Sequence, residues 1–323
     1  MDAQPTTIAV TGGAGAVGRH LIRQLTGAGR GVRALVHRTP LSRDLVRAGA
    51  VECEGSLLDR DALLRWLTPG CAVVHLAWPR SMSAAEHRRV SETLAATCVN
   101  RRARLLVHVS TAVVAGRTRA RVVTEDTPCE PATPYEQSKY EIEQTLEHAL
   151  AGQVPLAIAR PTAVFGPGLL NLLSIAESVR LGGASRYCRA ALFGRRQLHL
   201  VPVQTVAAAL DFLACAAPPA PLDRFIISTD IDPGGDYQTV ERRLRQAFGA
   251  RAPVVPQLRL PAAALRLAQR LAGRSDADPD RQYDGSKLRR AGFAPPVSLA
   301  QALDEFAAWF LTERGAPRAG GRS

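Results

Sequence analysis

Short apolar runs alternate with segments of helical periodicity along the first half of the chain. The runs at 7–11 and 32–38 are rich in β-branched residues and border on glycine, which is typical of strands. Between them, apolar residues recur at the spacing of one helix face, at Val17, Leu21, Ile22 and Leu25. The segment is therefore predicted to be a strand, a turn, a helix and a second strand.

The same alternation continues beyond this segment. We predict strands at 50–55, 71–78 and 104–111 and helices at 59–67 and 84–100. The run at 71–78, CAVVHLAW, is unbroken and apolar, as strands buried on both faces of a parallel sheet are. The pattern therefore predicts an α/β fold with a doubly wound parallel sheet, the Rossmann architecture.

Composition and charge narrow the function classes. The chain has 323 residues, of which 46% are hydrophobic and 22% charged, and its net charge is +12. Because the basic residues are spread along the chain and no nucleic-acid-binding motif is present, we predict no nucleic-acid partner. The longest apolar run is far too short to cross a bilayer and no secretory signal is seen, so we expect no membrane partner and a cytoplasmic location.

The cysteines and histidines do not indicate a metal site or a disulfide framework. The six cysteines lie far apart without a CxxC pair, and the seven histidines lack metal-binding spacing. This usage fits a reducing compartment, and no metal is expected.

A glycine-rich turn follows the first predicted strand. Gly12, Gly15 and Gly18 open the helix that begins there. Such a turn directs free backbone N–H groups and the positive helix end to one point, which suits a pyrophosphate. An ordinary glycine turn is the alternative, but the strand and helix on either side favour a dinucleotide site.

The end of the second predicted strand bears on cofactor choice. In NAD-binding proteins, an acidic residue about 20 residues after the glycine turn usually binds the ribose 2′-hydroxyl. The segment 31–40 contains no Asp or Glu, and Arg38 lies there instead. Because a guanidinium suits a 2′-phosphate, NADP(H) is favoured and NAD(H) remains possible.

The second half of the chain departs from the regular alternation. Strands are predicted to return at 196–203 and 223–229, and helices at 239–248, 261–272 and 299–311. A smaller, mostly helical C-terminal substrate-binding part is therefore expected. The expected division is 1–165 plus about 198–228 for the dinucleotide-binding Rossmann domain, about 166–197 plus 229–314 for the substrate-binding part, and 315–323 for a flexible tail.

A tyrosine and a lysine supply candidate chemistry. Of the 41 lysines and arginines, only Lys139 and Lys287 are lysines. Tyr135 precedes Lys139 by one helical turn, and a neighbouring ammonium is expected to lower the pKa of its phenol from about 10. With a hydroxyl from Thr111, this is an acid/base arrangement for carbonyl–alcohol interconversion by hydride transfer. A chance YxxxK on a solvated helix is the alternative.

These features resemble the extended short-chain dehydrogenases/reductases, the NAD(P)-dependent epimerase/dehydratase family, over nearly the whole chain. The landmarks are TGGAGAVG at 11–18, VHLA at 74–77, VHVSTAVVAG at 107–116, YEQSK at 135–139, RPTAVFGPG at 160–168, LVPVQTVA at 200–207 and the closing YDGSKLRRAGFAPPVSLAQAL from 283. The resemblance implies that Thr111 contributes the hydroxyl, Tyr135 is the acid/base and Lys139 binds the nicotinamide ribose.

The resemblance also implies a set of cofactor-binding residues and an assembly. The cofactor-binding residues are Gly12, Gly15, Ala16, Val17, Gly18, Arg38, Ser56, Leu57, Leu76, Ala77, Tyr135, Lys139, Pro161 and Val164. Helices 84–100 and 135–150 are implied to form the interface of a homodimer.

Several positions depart from the family pattern. Ala115 replaces the tyrosine that the family usually has before the glycine of its VYG motif. Ser56 replaces the aspartate that usually lies near the adenine, and Thr205 replaces the aspartate that is usual in the later strand–helix turn. Ala112 and Val113 stand where sugar-nucleotide 4,6-dehydratases carry Asp-Glu, which argues against dehydration by that route.

The substrate class and the reaction remain open at this point. Asn171 and Arg195 are candidates to hold a nucleotide-sugar diphosphate, whereas Trp78 is a candidate for lining an apolar pocket. The favoured function is an NADP(H)-preferring oxidoreductase that interconverts a carbonyl and a secondary alcohol, with Tyr135 as acid/base. The alternatives are a nucleotide-sugar epimerase with tightly bound NAD(P) and a non-catalytic cofactor-binding protein.

Overall fold

The computed structural model of the chain describes residues 7–182, 194, 196–215, 220–250 and 281–314. The strands are β1 Ile8–Thr11, β2 Val32–Val36, β3 Ala50–Glu54, β4 Ala72–His75, β5 Leu105–Val109, β6 Val122–Val123, β7 Leu156–Pro161, β8 Ala163–Phe165, β9 Leu200–Pro202, β10 Leu222–Ile227 and β11 Gln282–Tyr283. The helices are α1 Ala16–Gly27, α2 Arg43–Arg47, α3 Arg60–Trp66, α4 Ala84–Asn100, α5 Pro134–Leu150, α6 Leu173–Leu181, α7 Val203–Cys215, α8 Tyr237–Ala247, α9 Ser286–Arg290 and α10 Leu299–Arg314.

Seven parallel strands form the central sheet, in the order β3-β2-β1-β4-β5-β7-β10. The chain winds outward from β1 to β3 in one direction and from β4 to β10 in the other. The neighbouring carboxyl ends of β1 and β4 therefore mark the topological switch point at which such sheets bind ligands. The predicted doubly wound Rossmann fold is confirmed.

Alternate residues of the strands pack on opposite faces of the sheet. Val10 packs in the core that includes Leu21 and Leu25 of α1, and Ala9 packs in the core that includes Leu94 of α4 and Leu146 of α5. Because both faces are covered by helices, the central strands β1 and β4 are apolar up to their last residue, and that is why the sequence shows unbroken runs there.

The predicted strand at 71–78 is shorter in the structure. β4 ends at His75, and the chain then turns toward β1, where the Leu76 N–H donates to the Thr11 carbonyl at 3.3 Å. The apolar character of 76–78 therefore reflects packing beside the glycine turn rather than a longer strand. The predicted helix at 261–272 and the tail at 315–323 lie outside the described residues.

The C-terminal part is helical in its described ranges. α6, α8 and α10 share a core that includes Val179, Tyr237, Phe306 and Phe310. No helix in the part of the chain that the structure describes is both long and apolar enough to cross a membrane.

A late segment of the chain returns to the loop after β5. β11 pairs in parallel with β6. Arg281, which is 3% exposed, donates hydrogen bonds of 2.9 Å to the Gly116 carbonyl and 2.5 Å to the Thr118 carbonyl. These bonds satisfy carbonyl groups of a loop that follows Thr111.

Candidate active site

The glycine turn brings β1 and α1 into contact with the chain that follows β4. Gly12 has a φ of +72°, which favours glycine, and a Cβ there would lie 2.8 Å from the Ala77 nitrogen. A Cβ on Gly18 would lie 2.2 Å from the Gly12 carbonyl oxygen. Gly15 is the N-cap of α1 and has no side chain, so the N–H groups of the first helical turn are not capped by it and can bind an anion.

A buried hydrogen-bond chain holds the segment after β4 against this turn. The Thr11 hydroxyl lies 2.7 Å from Nδ1 of His75 and accepts a 3.3 Å bond from the Ala77 N–H. Burial, together with the charges of Lys139 and His87, lowers the pKa of His75 to about 3. His75 is therefore neutral at pH 7, and its hydrogen bond with Thr11 fixes the hydroxyl that holds Ala77.

Local sequence places Tyr135 in the first turn of α5. Thr133 is the N-cap and forms a capping box with Glu136, and Pro134 occupies the start of the helix. Thr111 follows β5 as the N-cap of a short 3-10 helix, and its hydroxyl acts to lower the pKa of the Tyr135 phenol; both residues line one cavity. The structure thus brings together the two hydroxyl groups that the sequence predicts to handle the substrate oxygen.

The phenol of Tyr135 has a pKa above its ordinary value. Desolvation raises the pKa, and it outweighs the Thr111 hydrogen bond and the charge of Arg80, both of which lower it. The residue stays 45% exposed, so this desolvation is partial. The expectation that Lys139 lowers the pKa of this phenol is therefore wrong for this structure. The neutral phenol that results is a proton donor at pH 7.

Lys139 is 5% exposed and lies against Trp78. Its ammonium donates a 3.1 Å hydrogen bond to the Val109 carbonyl and lies 4.4 Å from the centroid of the indole ring. Burial lowers the pKa of Lys139 to about 8, and the charge of Glu143 acts in the opposite direction. Most of the lysine is therefore still cationic at pH 7. Glu143 is itself held by a buried ion pair of 2.5 Å with Arg160.

A cavity of about 780 Å³ joins the predicted catalytic and cofactor-binding residues. Among the predicted residues, its lining includes Val17, Thr111, Tyr135, Pro161, Val164 and Asn171. Apolar side chains such as Leu169, Leu198 and Val206 form part of its wall. The size and the mixture of apolar and polar groups suit a small organic molecule.

The other predicted cofactor residues follow the carboxyl ends of the strands. Arg38 is exposed beyond β2, and Ser56 and Leu57 lie in the loop after β3. Leu76 and Ala77 directly follow β4. These positions are on the edge of the sheet that carries the glycine turn.

The three predicted substrate residues have different locations. Asn171 lines the cavity, and its amide donates a 2.6 Å bond to the Val164 carbonyl. Trp78 is not among the described residues that line the cavity; it stacks on His87 with ring centroids 3.9 Å apart and meets the Tyr135 ring edge-on at 5.7 Å. Arg195 lies outside the described residues.

Sequence reasoning missed two features of this site. Arg80 lines the cavity and acts on the Tyr135 phenol, but nothing in the sequence distinguishes it from the many other arginines. His199 also lines the cavity and pairs with Asp230. The two residues belong to separate segments, so no local pattern could have revealed the pair.

The residues present fit a dinucleotide cofactor. The close approach at Gly12 and Gly18 leaves room only for backbone beside the uncapped start of α1, as a pyrophosphate site requires. Val17 of this turn lines the same cavity as Tyr135 and the segment from Pro161 to Val164. A dinucleotide held by the turn therefore reaches the predicted catalytic hydroxyl groups.

Comparisons with known proteins agree with this arrangement. A sequence model described as the NAD dependent epimerase/dehydratase family matches residues 8–180. A 4-hydroxy-2-methyl-3-oxo-4-farnesyl-3,4-dihydroquinoline-1-oxide ketoreductase of Stigmatella aurantiaca is 28% identical over 91% of this chain and 94% of its own. A UDP-glucose 4-epimerase of Azospirillum brasilense is 31% identical over 44% of each chain.

The fold has close counterparts among solved structures. The Bordetella bronchiseptica enzyme WbmG in complex with NAD and UDP superposes with a TM-score of 0.72 and 22% identity, over 94% of both chains. At 22% identity, this similarity shows a shared fold and nothing more specific.

Proposed function

The chain belongs to the NAD-dependent epimerase/dehydratase family, the extended short-chain dehydrogenases/reductases, and from this premise we propose that it is an NADP(H)-preferring ketone reductase. The relatives that match this chain include a ketoreductase and an epimerase. The observation that carries the proposal is that Thr111 and Tyr135 line one cavity together with Val17, which follows the glycine turn. The reverse reaction, oxidation of a secondary alcohol, uses the same groups.

The protein side of the reaction follows from these groups. The bound nicotinamide cofactor supplies the hydride. Thr111 and Tyr135 hold the carbonyl oxygen between their hydroxyl groups, and the neutral phenol donates its proton as negative charge develops on that oxygen. The pKa of Tyr135 is raised by desolvation, so the phenol is protonated at pH 7, as a proton donor to a carbonyl oxygen must be.

Lys139 acts behind the phenol in this proposal. Its ammonium is fixed by the Val109 carbonyl and by the indole of Trp78, and we assign it to the nicotinamide ribose. In this scheme Lys139 binds and orients the cofactor rather than tuning the phenol.

Cofactor choice rests on Arg38. This side chain is exposed after β2, where the ribose of the adenosine half is bound in sheets of this type, and a guanidinium pairs with a 2′-phosphate. The remaining assigned cofactor contacts are the glycine turn, Ser56, Leu57, Leu76, Ala77 and the segment from Pro161 to Val164.

The ketoreductase relative and the apolar wall of the cavity support reduction of a small organic ketone. Nucleotide-sugar epimerization is the second candidate, because the family includes epimerases and the UDP-glucose 4-epimerase relative matches part of the chain. The two differ in cofactor use: an epimerase retains its nicotinamide through the cycle and shows no net turnover of added NADPH.

Replacement of the proton donor tests the proposal. We expect the wild-type protein to oxidise NADPH in the presence of a panel of aryl ketones, cyclic ketones and β-keto esters, and Tyr135→Phe to lower kcat at least 100-fold with NADPH affinity unchanged. Tyr140→Phe, on the same helix, is the matched control and should retain full activity. No NADPH oxidation with any ketone, together with interconversion of UDP-glucose and UDP-galactose by the protein as purified, would favour the epimerase.

The proposed assembly is a homodimer formed through α4 and α5, in a cytoplasmic setting. These helices pack on each other and are joined by an ion pair between Arg88 and Glu141. Sedimentation equilibrium should give twice the chain mass, and a monomer at all concentrations would contradict this assembly.

A further inference from the structure

An arginine of α1 lies against the loop that follows β8. A Cβ on Gly168 would lie 3.5 Å from Nη2 of Arg19, so the guanidinium group is next to this glycine. Gly168 has a φ of +81°, and its turn is closed by a 3.1 Å bond from the Leu169 N–H to the Gly166 carbonyl. The Arg19 side chain therefore extends from α1 to a loop whose next residue, Leu169, lines the proposed active-site cavity.

The same arginine lies one turn from the uncapped start of α1. Its N–H donates a 2.9 Å bond to the carbonyl of Gly15, the N-cap residue. Side chains of a helix lean toward its N-terminus, so a residue at this position covers the turn that precedes it. That turn contains the N–H groups that the N-cap residue leaves without a side-chain partner. Arg19 thus bridges the glycine turn and the loop after β8.

The charge of Arg19 is not neutralised by the described residues. Arg19 is exposed, and within the described ranges its side chain makes no hydrogen bond or ion pair. Residues 3–43 and 151–176, which include both of the segments that it joins, contain no Asp or Glu. Arg23, one turn further along α1, differs because it forms a 2.7 Å ion pair with Asp44. The guanidinium of Arg19 is therefore available to a ligand.

The chemistry of a dinucleotide cofactor suits this guanidinium. The negatively charged pyrophosphate is the part that a glycine turn and a helix start bind, and the N–H groups there supply only about half of a positive charge. A guanidinium is charged at every physiological pH, and its planar fork matches two phosphate oxygens. Arg19 thus has the charge and the location that the pyrophosphate site otherwise lacks.

We propose that Arg19 binds the pyrophosphate of the cofactor together with the N–H groups of the first turn of α1. This inference rests on the dinucleotide site of the proposed function but not on reduction of a ketone. NAD(H) and NADP(H) have the same pyrophosphate, so Arg19 serves both cofactors equally. Arg38, by contrast, is assigned to the 2′-phosphate that only NADP(H) carries.

Fluorescence titrations of the full chain with NADPH and NADH test this inference without turnover. We expect Arg19→Met, which keeps an unbranched side chain of high helix propensity, to weaken the binding of both cofactors at least tenfold and by factors that agree within threefold. Arg19→Lys keeps the charge and should weaken binding less than fivefold. Arg23→Met is the matched control, because the charge that it removes is already paired, and it should bind both cofactors as the wild-type protein does.

A fragment of the cofactor separates the pyrophosphate from the 2′-phosphate. Adenosine 2′-monophosphate contains only the second group, and NMR titration should give the same affinity in the wild-type protein and in Arg19→Met. Unchanged binding of NADPH and NADH by a folded Arg19→Met protein, or a loss confined to NADPH, would overturn the inference. Failure of the wild-type protein to bind either cofactor would overturn the dinucleotide site itself, and this inference with it. If Arg19→Met does not fold, Arg19→Gln takes its place with the same criteria.

Discussion

The indole ring of Trp78 lies over the ammonium group of Lys139, with 4.4 Å between the ring centroid and Nζ. The same ring meets Tyr135 edge-on and stacks on His87. The Trp78 ring thus shields the ammonium of Lys139, the one lysine in the proposed active site, from water. This contact contributes to the low exposure of Lys139, and burial lowers the pKa of that residue.

Removal of the indole should raise the pKa of Lys139. Burial lowers this pKa to about 8, so we expect Trp78→Ala, which admits water, to raise it by about one unit or more. Loss of the cation–π contact, about 0.5–2 kcal/mol, acts in the opposite direction and is smaller than the roughly 3.4 kcal/mol that separates a pKa of about 8 from the ordinary 10.5.

The measurement is simple because the chain has only two lysines. In protein labelled with ¹³C-lysine, the Cε resonances of Lys139 and Lys287 titrate separately, and Lys287→Arg assigns them. Trp309→Phe, in the core of the C-terminal part, is the control and should leave the Lys139 titration in place. A pKa of Lys139 that stays near 8 in Trp78→Ala would show that the indole does not desolvate the amine.

Alanine substitution of the two glycines at opposite ends of α1 should have opposite effects on the protein. Gly18→Ala places a Cβ 2.2 Å from the Gly12 carbonyl oxygen, so the turn must open. We expect NADPH affinity to fall at least 100-fold. Gly27→Ala meets no atom within 4 Å and should increase the free energy of unfolding by about 0.5–1 kcal/mol with cofactor binding retained.

Urea unfolding and fluorescence titration with NADPH measure both effects. If Gly18→Ala bound NADPH as tightly as the wild-type protein, the glycine turn would not be the pyrophosphate site. A destabilised Gly27→Ala would show that the end of α1 is less open than its surroundings indicate.

Acid should destabilise the fold through buried neutral histidines. The pKa of His75 is about 3 in the folded chain against 6.5 for an ordinary histidine, and burial lowers the pKa of His108 well below that value as well. Because the unfolded chain takes up these protons first, the stabilising effect is complete above pH 6.5 and is lost as the pH falls from 6.5 toward 3. Each pH unit in that window costs about 1.4 kcal/mol for each such histidine.

Urea unfolding at a series of pH values between 7 and 4.5 checks this slope. His75→Asn should be less stable at pH 7, because the Thr11 bond is altered, and should show a slope smaller by one proton. The exposed His37→Asn should keep the wild-type slope. An unchanged slope in His75→Asn would mean that this imidazole is not buried neutral in the folded chain.

Arg38 should decide between the two nicotinamide cofactors. We expect Arg38→Asp to weaken NADPH binding at least tenfold more than NADH binding, because a carboxylate repels a 2′-phosphate and accepts hydrogen bonds from a 2′-hydroxyl. Arg47→Asp, on the exposed part of α2, changes the charge equally and should affect the two cofactors alike. Equal losses in Arg38→Asp would refute the assignment.

The sheet and the glycine turn could be predicted because their causes are local. Strands that are buried on both faces must be apolar along their whole length, and a helix that starts beside a ligand must start with glycine. The first turn of α5 was predictable for the same reason, because Thr133, Pro134 and Glu136 form its cap within four residues of sequence.

The electrostatics of the site could not be predicted in the same way. The pKa of Tyr135 depends on how much water the fold removes, and the position of Trp78 decides which group Lys139 faces. The pairing of His199 with Asp230 depends on the segment before β9 and the segment after β10 meeting in space. Spacing along the chain contains no information about such pairings, so only the structure reveals them.

The guanidinium of Arg281 joins a late segment of the chain to the loop after β5. It satisfies carbonyl groups at Gly116 and Thr118, although it lies 165 positions after Gly116 in the chain. The segment matched by the family model, 8–180, carries every predicted catalytic residue but not this arginine. A fragment that contains that segment alone would therefore leave the loop beyond Thr111 without the hydrogen bonds that Arg281 donates.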